Sequence, residues 1–189
     1  MISLKKIFNG FTIVPSVRIL KDLDYALNSP LDIVLLSEVH IGNLKNLTQI
    51  CHKKNKRVLV NVDLVGGFSS DRMGVKLLKD LFKLDGILTS NMITINMCKS
   101  VGLFTIQRFF LMDSKAVDSS LKSFRNSQAD AVELLPSPLA PKFANEIVKN
   151  KKIPILAGGF VENKKSVEEF KKLGFNGVTT STKALWNLQ

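Results

Sequence analysis

Ile153-Pro154-Ile155-Leu156-Ala157-Gly158-Gly159-Phe160 and, after a lysine-rich helical segment, Phe175-Asn176-Gly177-Val178-Thr179-Thr180-Ser181-Thr182 form the stretch on which the fold is decided. An apolar strand runs into a Gly-Gly turn, a helix crosses over, and a second strand ends in small hydroxyl residues. Parallel strands need such crossovers. Gly158 and Gly159 carry no Cβ, so a ligand can approach their backbone closely. Thr180, Ser181 and Thr182 precede a short last helix (Lys183 to Leu188), which places hydroxyls and N–H groups near a positive helix end. Two such turns side by side make a phosphate cup. Taken singly, the same residues read as a glycine turn and a Ser/Thr helix cap.

Outward from this stretch the same alternation repeats. Strands are predicted at Phe11–Val14 (ended by Pro15), Asp32–Glu38, Arg57–Asp63, Gly86–Ser90, Leu103–Phe110 and Asp130–Pro136. Helical patterns separate them: Arg18–Asn28, a helix capped by Asn43, one carrying Leu77, Leu78 and Leu81, one through Ile95 and Cys98 to Gly102, Asp113–Gln128, and one with Phe143, Ala144, Ile147 and Val148 on its apolar face. In the third strand Val58, Val60 and Val62 point one way and Leu59, Asn61 and Asp63 the other. If the valines meet the helices, Asn61 and Asp63 face the interior. Eight strand–helix units in 189 residues predict one domain over 1–189, a compact (β/α)8 TIM barrel with short loops. Typical barrels run to ~250 residues. An open doubly wound sheet is the alternative, but it does not call for a paired cup at the last two strands.

Composition narrows function. The net charge is +11, from 27 Lys+Arg against 16 Asp+Glu. This fits an anionic partner, nucleic acid or a phosphorylated small molecule, and it also fits solvated lysine-rich helix faces. No apolar run reaches membrane-spanning length, and the N-terminus lacks a signal-peptide core. Cys51 and Cys98 have no spacing partners, which points to a reducing cytoplasm. With only His40 and His52, neither a zinc cluster nor a Ser-His-Asp triad is suggested.

Polar residues near the predicted strand ends are Glu38, Asp63, Thr89, Gln107, Arg108 and Glu133. Asp63 and Glu133 could serve as general acid and base, bind hydroxyls, or pair with Arg108. No lysine lies within a strand, which argues against Schiff-base chemistry.

Six segments carry a resemblance across most of the chain: Val60-Asn-Val-Asp-Leu-Val-Gly-Gly-Phe68, Asp85-Gly-Ile-Leu-Thr-Ser90, Thr105-Ile-Gln-Arg-Phe-Phe-Leu-Met-Asp-Ser114, Val132-Glu-Leu-Leu-Pro136, Ile155-Leu-Ala-Gly-Gly-Phe160 and Thr179-Thr-Ser-Thr-Lys-Ala-Leu-Trp186. In these the chain resembles the glycerol uptake operon antiterminator family of bacterial regulatory proteins. The resemblance implies a barrel that senses glycerol 3-phosphate, binds a messenger-RNA leader and prevents early termination. It implies a non-enzyme with no cofactor beyond that effector. Asn61, Asn91 and Ser137 depart from the family pattern of His, Lys and Gly. The expected site is Gly158, Gly159, Thr180 and Ser181 on the phosphate, with Asp63, Gln107, Arg108 and Glu133 on the polyol. A small phosphosugar or phosphodiester enzyme using Asp63 and Glu133 is the rival, and a scaffold binding neither partner is a third reading. Basic clusters at Lys53–Arg57, Lys149–Lys152 and Lys171–Lys172 are expected opposite the cup, as RNA contacts or as helix-dipole partners. Oligomeric state is left open.

Overall fold

The computed structural model describes residues 2–144 and 152–188. Eight parallel strands close into a barrel in sequence order, with β8 returning to pair with β1. They are β1 (Thr12–Val17), β2 (Ile33–Leu36), β3 (Arg57–Asn61), β4 (Gly86–Thr89), β5 (Phe104–Phe110), β6 (Ala131–Leu135), β7 (Ile155–Gly158) and β8 (Gly177–Thr180). The outer layer includes α2 (Leu23–Leu27), α3 (Ile41–Lys53), α4 (Arg72–Asp80), α5 (Met92–Ser100), α6 (Ser114–Asn126) and the helix Lys164–Lys172. Helical residues also begin at Ala140 and continue to Ala144; Ile147 and Val148 lie outside the described residues.

The apolar residues divide into two clusters. Val58, Val60, Val132, Ala157 and Val178 join the inner faces of the helices, including Leu44, Leu78, Ile95 and Phe124. Val14, Ile33, Leu35, Leu59, Leu88, Ile106, Ala131 and Leu156 fill the barrel itself. Period-two alternation in strands buried on both faces produces this division. The valines of β3 therefore face the helices, as their alternation requires.

A short helix, α1 (Leu4–Ile7), closes the N-terminal end of the barrel. Ser3 caps it by accepting the Lys6 N–H, and Leu4 and Phe8 insert among the interior residues. Phe8 is fully buried and stacks on Phe104 with ring centroids 5.4 Å apart. Burying such a ring contributes about 1.5–3 kcal/mol.

The same end holds a repeated clamp. Asp85, Asp130 and Asn176 each stand one residue before an even-numbered strand. Their side chains accept the N–H of Val58, Thr105 and Ile155, at or beside the start of the preceding odd-numbered strand, at 2.8, 3.0 and 3.1 Å. Each clamp pairs a backbone donor and fixes the local register.

Several predicted boundaries move. β1 runs through Pro15 to Val17. Pro15 is the last residue registered on β8 and Ser16 the first on β2, so the missing N–H falls where pairing changes neighbour. β3 stops at Asn61 because its side-chain oxygen accepts the Asp63 N–H at 3.3 Å, starting a 3-10 turn over Val62–Leu64. The predicted Arg18–Asn28 helix is shorter, a 3-10 turn followed by α2. The last helix is only a 3-10 turn at Lys183–Leu185. Trp186 is a packing residue, 1% exposed, with its indole N–H donating to the Thr180 carbonyl at 2.9 Å.

Gly74 sits in the first turn of α4, where alanine would ordinarily favour the helix by about 1 kcal/mol. A Cβ there would lie 1.9 Å from the Ser69 carbonyl oxygen. Gly74→Ala is therefore expected to destabilise by about 1–3 kcal/mol, the usual cost of overpacking. Urea unfolding with an unchanged or higher midpoint would refute this.

Cys51 on α3 and Cys98 on α5 are fully buried. Burial pushes their thiols up, to about 11 and about 12, from an ordinary value of 9.0, with Asp85 adding a smaller upward push at Cys51. The folded chain thus keeps protons that the unfolded chain sheds. Stability should be unaffected by these groups below pH 9 and fall as pH rises from there through about 11–12. Both thiols should resist alkylation at pH 8 in native protein and react in denaturant; rapid native labelling would contradict the burial.

Candidate functional site

At the C-terminal end of the strands a cavity of about 390 Å³ opens to solvent. That is an ordinary size for a small-molecule site. Its walls come from residues just past the apolar layers: Ser16 on β1 and Arg18 after it, Ser37 and Glu38 after β2, Asn61 on β3, Arg108 on β5, Gly159–Glu162 after β7, and Thr179–Thr182 on and after β8. Inward parity selects them. Val14 is followed inward by Ser16, Leu35 by Ser37, Leu59 by Asn61 and Ile106 by Arg108.

Beneath the floor lies Glu133, fully buried. Its Oε2 accepts the Arg108 Nε–H at 2.6 Å, and its Oε1 accepts the Thr179 hydroxyl. Arg108 is thereby held with a side-chain exposure of 15% between the buried carboxylate and the cavity. A buried charge without such partners would be strongly destabilising. Gly158 belongs to the same arrangement. A Cβ there would come within 2.6 Å of the Thr179 hydroxyl and 2.7 Å of Glu133 Oε1. The glycine makes room for the carboxylate rather than for a ligand.

At the mouth Arg18 pairs with Glu38 at 3.0 Å, both groups half exposed or more. The Ser16 and Ser37 hydroxyls share a hydrogen bond of 2.7 Å. Gly159 has φ +71°, a conformation that suits glycine, while Phe160 follows at φ +61° with 73% of its surface exposed. A non-glycine residue held there stores on the order of 1–3 kcal/mol.

Of the expected site residues, the structure brings Arg108, Gly159, Thr180 and Ser181 to the cavity wall and places Glu133 and Gly158 under its floor. Asp63 and Gln107 lie off the cavity wall. The 3-10 turn carries Asp63 out of the inward alternation. Its carboxylate instead accepts the Thr89 hydroxyl and, at 2.9 and 3.0 Å, the Ser90 N–H and hydroxyl, tying β3 to the end of β4. Gln107 points outward, where its amide donates to the Ser123 hydroxyl of α6 at 3.0 Å. Its Oε1 is buried without a partner among the described residues.

Thr180 lines the wall, but its hydroxyl is committed elsewhere. It donates to the Val161 carbonyl at 2.6 Å and accepts the Thr182 N–H at 3.0 Å. The closing 3-10 turn is too short to supply a helix-dipole field, so the fixed positive charge at the cavity is that of Arg18 and Arg108. Sequence reasoning missed Ser16, Arg18, Ser37, Thr179 and Phe160. Alternation on β1, β2 and β8 would have found all but Arg18 and Phe160.

Comparison with known proteins is decisive for the family. The model of the glycerol-3-phosphate responsive antiterminators matches residues 13–186. The chain belongs to this family. A glycerol uptake operon antiterminator regulatory protein of Listeria monocytogenes str. 4b F2365 is 30% identical, with a TM-score of 0.88 over 94% of this chain and 96% of that one. A glycerol uptake operon antiterminator-related protein of Thermotoga maritima MSB8 is 28% identical, with a TM-score of 0.84 over 95% and 99%. An uncharacterized protein of Escherichia coli K12, YgcP, is 24% identical over 92% of each chain.

The three departures from the family pattern fall in different places. Asn61 is 1% exposed and lines the cavity. Asn91 caps α5 by accepting the Ile93 and Thr94 N–H groups at 2.8 and 3.2 Å. Ser137 is buried, and its N–H donates to the Gly159 carbonyl at 3.1 Å. Only Asn61 among them borders the cavity, and it is the departure placed to touch a ligand.

Arg108 and Gln107 are adjacent but face opposite ways, so substitutions should separate them. Arg108→Met leaves Glu133 buried and unpaired and should cost about 3–5 kcal/mol. Gln107→Met removes an unsatisfied buried oxygen and should change stability by less than about 1.5 kcal/mol. Denaturant titration of both variants checks the pair; equal losses would refute the assigned orientations.

Proposed function

We propose that this chain is a glycerol-3-phosphate-responsive, RNA-binding antiterminator that controls glycerol uptake and metabolism genes, acting as a regulator rather than as an enzyme. The observation that carries this reading is the family match over residues 13–186, which span every residue of the cavity wall. On this reading the phosphate rests against Gly159, Phe160 and Ser181, and the Arg108 guanidinium offers it a fixed cation. The Ser16, Ser37 and Asn61 side chains receive the glycerol hydroxyls. Glu133 acts through Arg108 and Thr179 by holding them in place.

Geometry also weighs against the enzymatic alternative. General acid–base chemistry needs both groups within reach of one substrate. Asp63 is bound to Thr89 and Ser90 outside the cavity wall, and Glu133 is sealed beneath the floor.

Calorimetry with glycerol 3-phosphate tests the site. Wild type should bind, and Gly159→Asp, which adds a negative charge where the phosphate rests, should show no detectable heat while keeping its circular dichroism spectrum. Equal affinity in the two proteins would overturn the site. Filter binding of a leader transcript, with and without saturating effector, tests the regulation. The effector should change RNA affinity by ~5–150-fold, the usual range of coupling, and an unmoved affinity would overturn the regulatory reading.

A further inference from the structure

The second cavity worth attention lies at the opposite end of the barrel, with a volume of about 560 Å³. Its wall carries Lys5, Arg57, Lys79, Lys83 and Lys99 against Asp80, Asp85 and Asp130. The charges are arranged radially. Asp85 and Asp130 are turned inward onto the Val58 and Thr105 N–H groups and keep side-chain exposures of only 11% and 9%. Their cation partners, Arg57 and Lys99, lie outside them at 24% and 34%. At these two pairs solvent therefore meets the cation first, while Asp80 is itself exposed. Lys5, Lys79 and Lys83 make no ion pair among the described residues, and Lys53 and Lys54 stand exposed at the same end of the barrel.

Dipole complementation accounts for lysines at helix ends in general, but less well for Lys83. It has φ +56°, the left-handed conformation that Gly102 and Gly174 adopt in the segments after α5 and after the helix Lys164–Lys172. Glycine would sit there without strain. A lysine held in that conformation costs on the order of 1–2 kcal/mol and projects its cation at the cleft.

We propose that this N-terminal cleft, with Lys5, Lys79 and Lys83 as its principal contacts, is the surface that binds the sugar-phosphate backbone of RNA. The assignment rests on the regulatory reading above and adds the place of contact. The cleft wall offers Phe104 as its only aromatic side chain, and that ring is 8% exposed and stacked on Phe8. Bases therefore have no stacking platform here, and the contact is with phosphates. One expected RNA contact drops out. Lys56 is 7% exposed and donates to the Ser29 and Leu31 carbonyls at 2.6 and 2.7 Å. Lys149–Lys151 lie outside the described residues.

The test uses two triple variants of the full chain that lose the same charge. Lys5→Ser/Lys79→Ser/Lys83→Gly empties the cleft, and glycine keeps the backbone conformation at position 83. Lys115→Ser/Lys142→Ser/Lys165→Ser removes three exposed cations from the cavity end. Wild type and both variants are titrated with a leader transcript across a salt series, and glycerol 3-phosphate calorimetry checks that each is folded. The cleft variant should lose tenfold or more in RNA affinity, and the magnitude of its salt slope should fall by about 2, from three released phosphate contacts on a single strand. The other variant should change affinity by less than threefold. If wild type binds and the cleft variant binds equally well, or if both variants weaken alike, the surface assignment fails while the regulatory reading stands. If wild type itself does not bind the transcript, both fail.

Discussion

One buried carboxylate sets the terms for the upper half of this barrel. Glu133 is fully enclosed, and ionised groups enter protein interiors only with partners. Its two oxygens are divided between the Arg108 guanidinium from β5 and the Thr179 hydroxyl from β8. The space for that geometry comes from β7, where Gly158 withholds a Cβ that would collide with both oxygen groups. Four strands thus meet at one polar knot. Below it the interior is Leu, Ile, Val, Phe and Ala; above it is the cavity. The knot is the boundary between a packed core and a binding surface. It also orients the one arginine that reaches the cavity from inside the barrel.

Much of the fold was legible because the signals were redundant. Four-residue apolar runs such as Ile33–Leu36 recur at regular intervals with amphipathic helices between them, and a parallel barrel buries both faces of such strands. The same burial hides the site. When residues on both faces are apolar, alternation is hard to see, and β5 reads as uniformly suitable for the interior. Gln107 and Arg108 cannot both point inward, because neighbours on a strand face opposite ways. The polar amide turned out to face α6. At Asp63 the alternation was clear but stopped early. The Asn61 side chain captured the Asp63 N–H and ended the strand two residues before the carboxylate.

Other features were missed because they depend on tertiary neighbours. Ser3-Leu4 with Phe8 looks like an unremarkable N-terminus until the open bottom of the barrel is there to receive it. The Asp85, Asp130 and Asn176 clamps are spelled similarly, as Leu-Asp-Gly-Ile, Ala-Asp-Ala-Val and Phe-Asn-Gly-Val. Their role appears only when the preceding strand lies alongside. The sequence pattern predicts a helix from Arg18; the shorter α2 leaves Arg18 instead at the cavity mouth, opposite Glu38.

Opposite ends for the two proposed ligands have an electrostatic consequence. Glycerol 3-phosphate and RNA are both anions, and on a shared surface each would oppose the other. Along β3, Arg57 borders the cleft and Asn61 borders the cavity, a separation of about 13 Å at the usual rise per residue. This exceeds the Debye length of about 8 Å at physiological salt. Direct repulsion between the ligands is therefore weak, and any coupling must be carried by the protein. β3 and β5 each supply residues to both ends. Close-packed strands do not deform continuously, so the effector has to select between discrete arrangements. The strained, exposed Phe160 and the half-exposed Arg18–Glu38 pair are the parts of the cavity wall least fixed by packing. An anion that draws Arg18 from Glu38 would alter the loop after β2, which leads into α3, and α3 ends beside β3 at Lys53. That path joins the two ends through one helix and requires no change in the barrel itself.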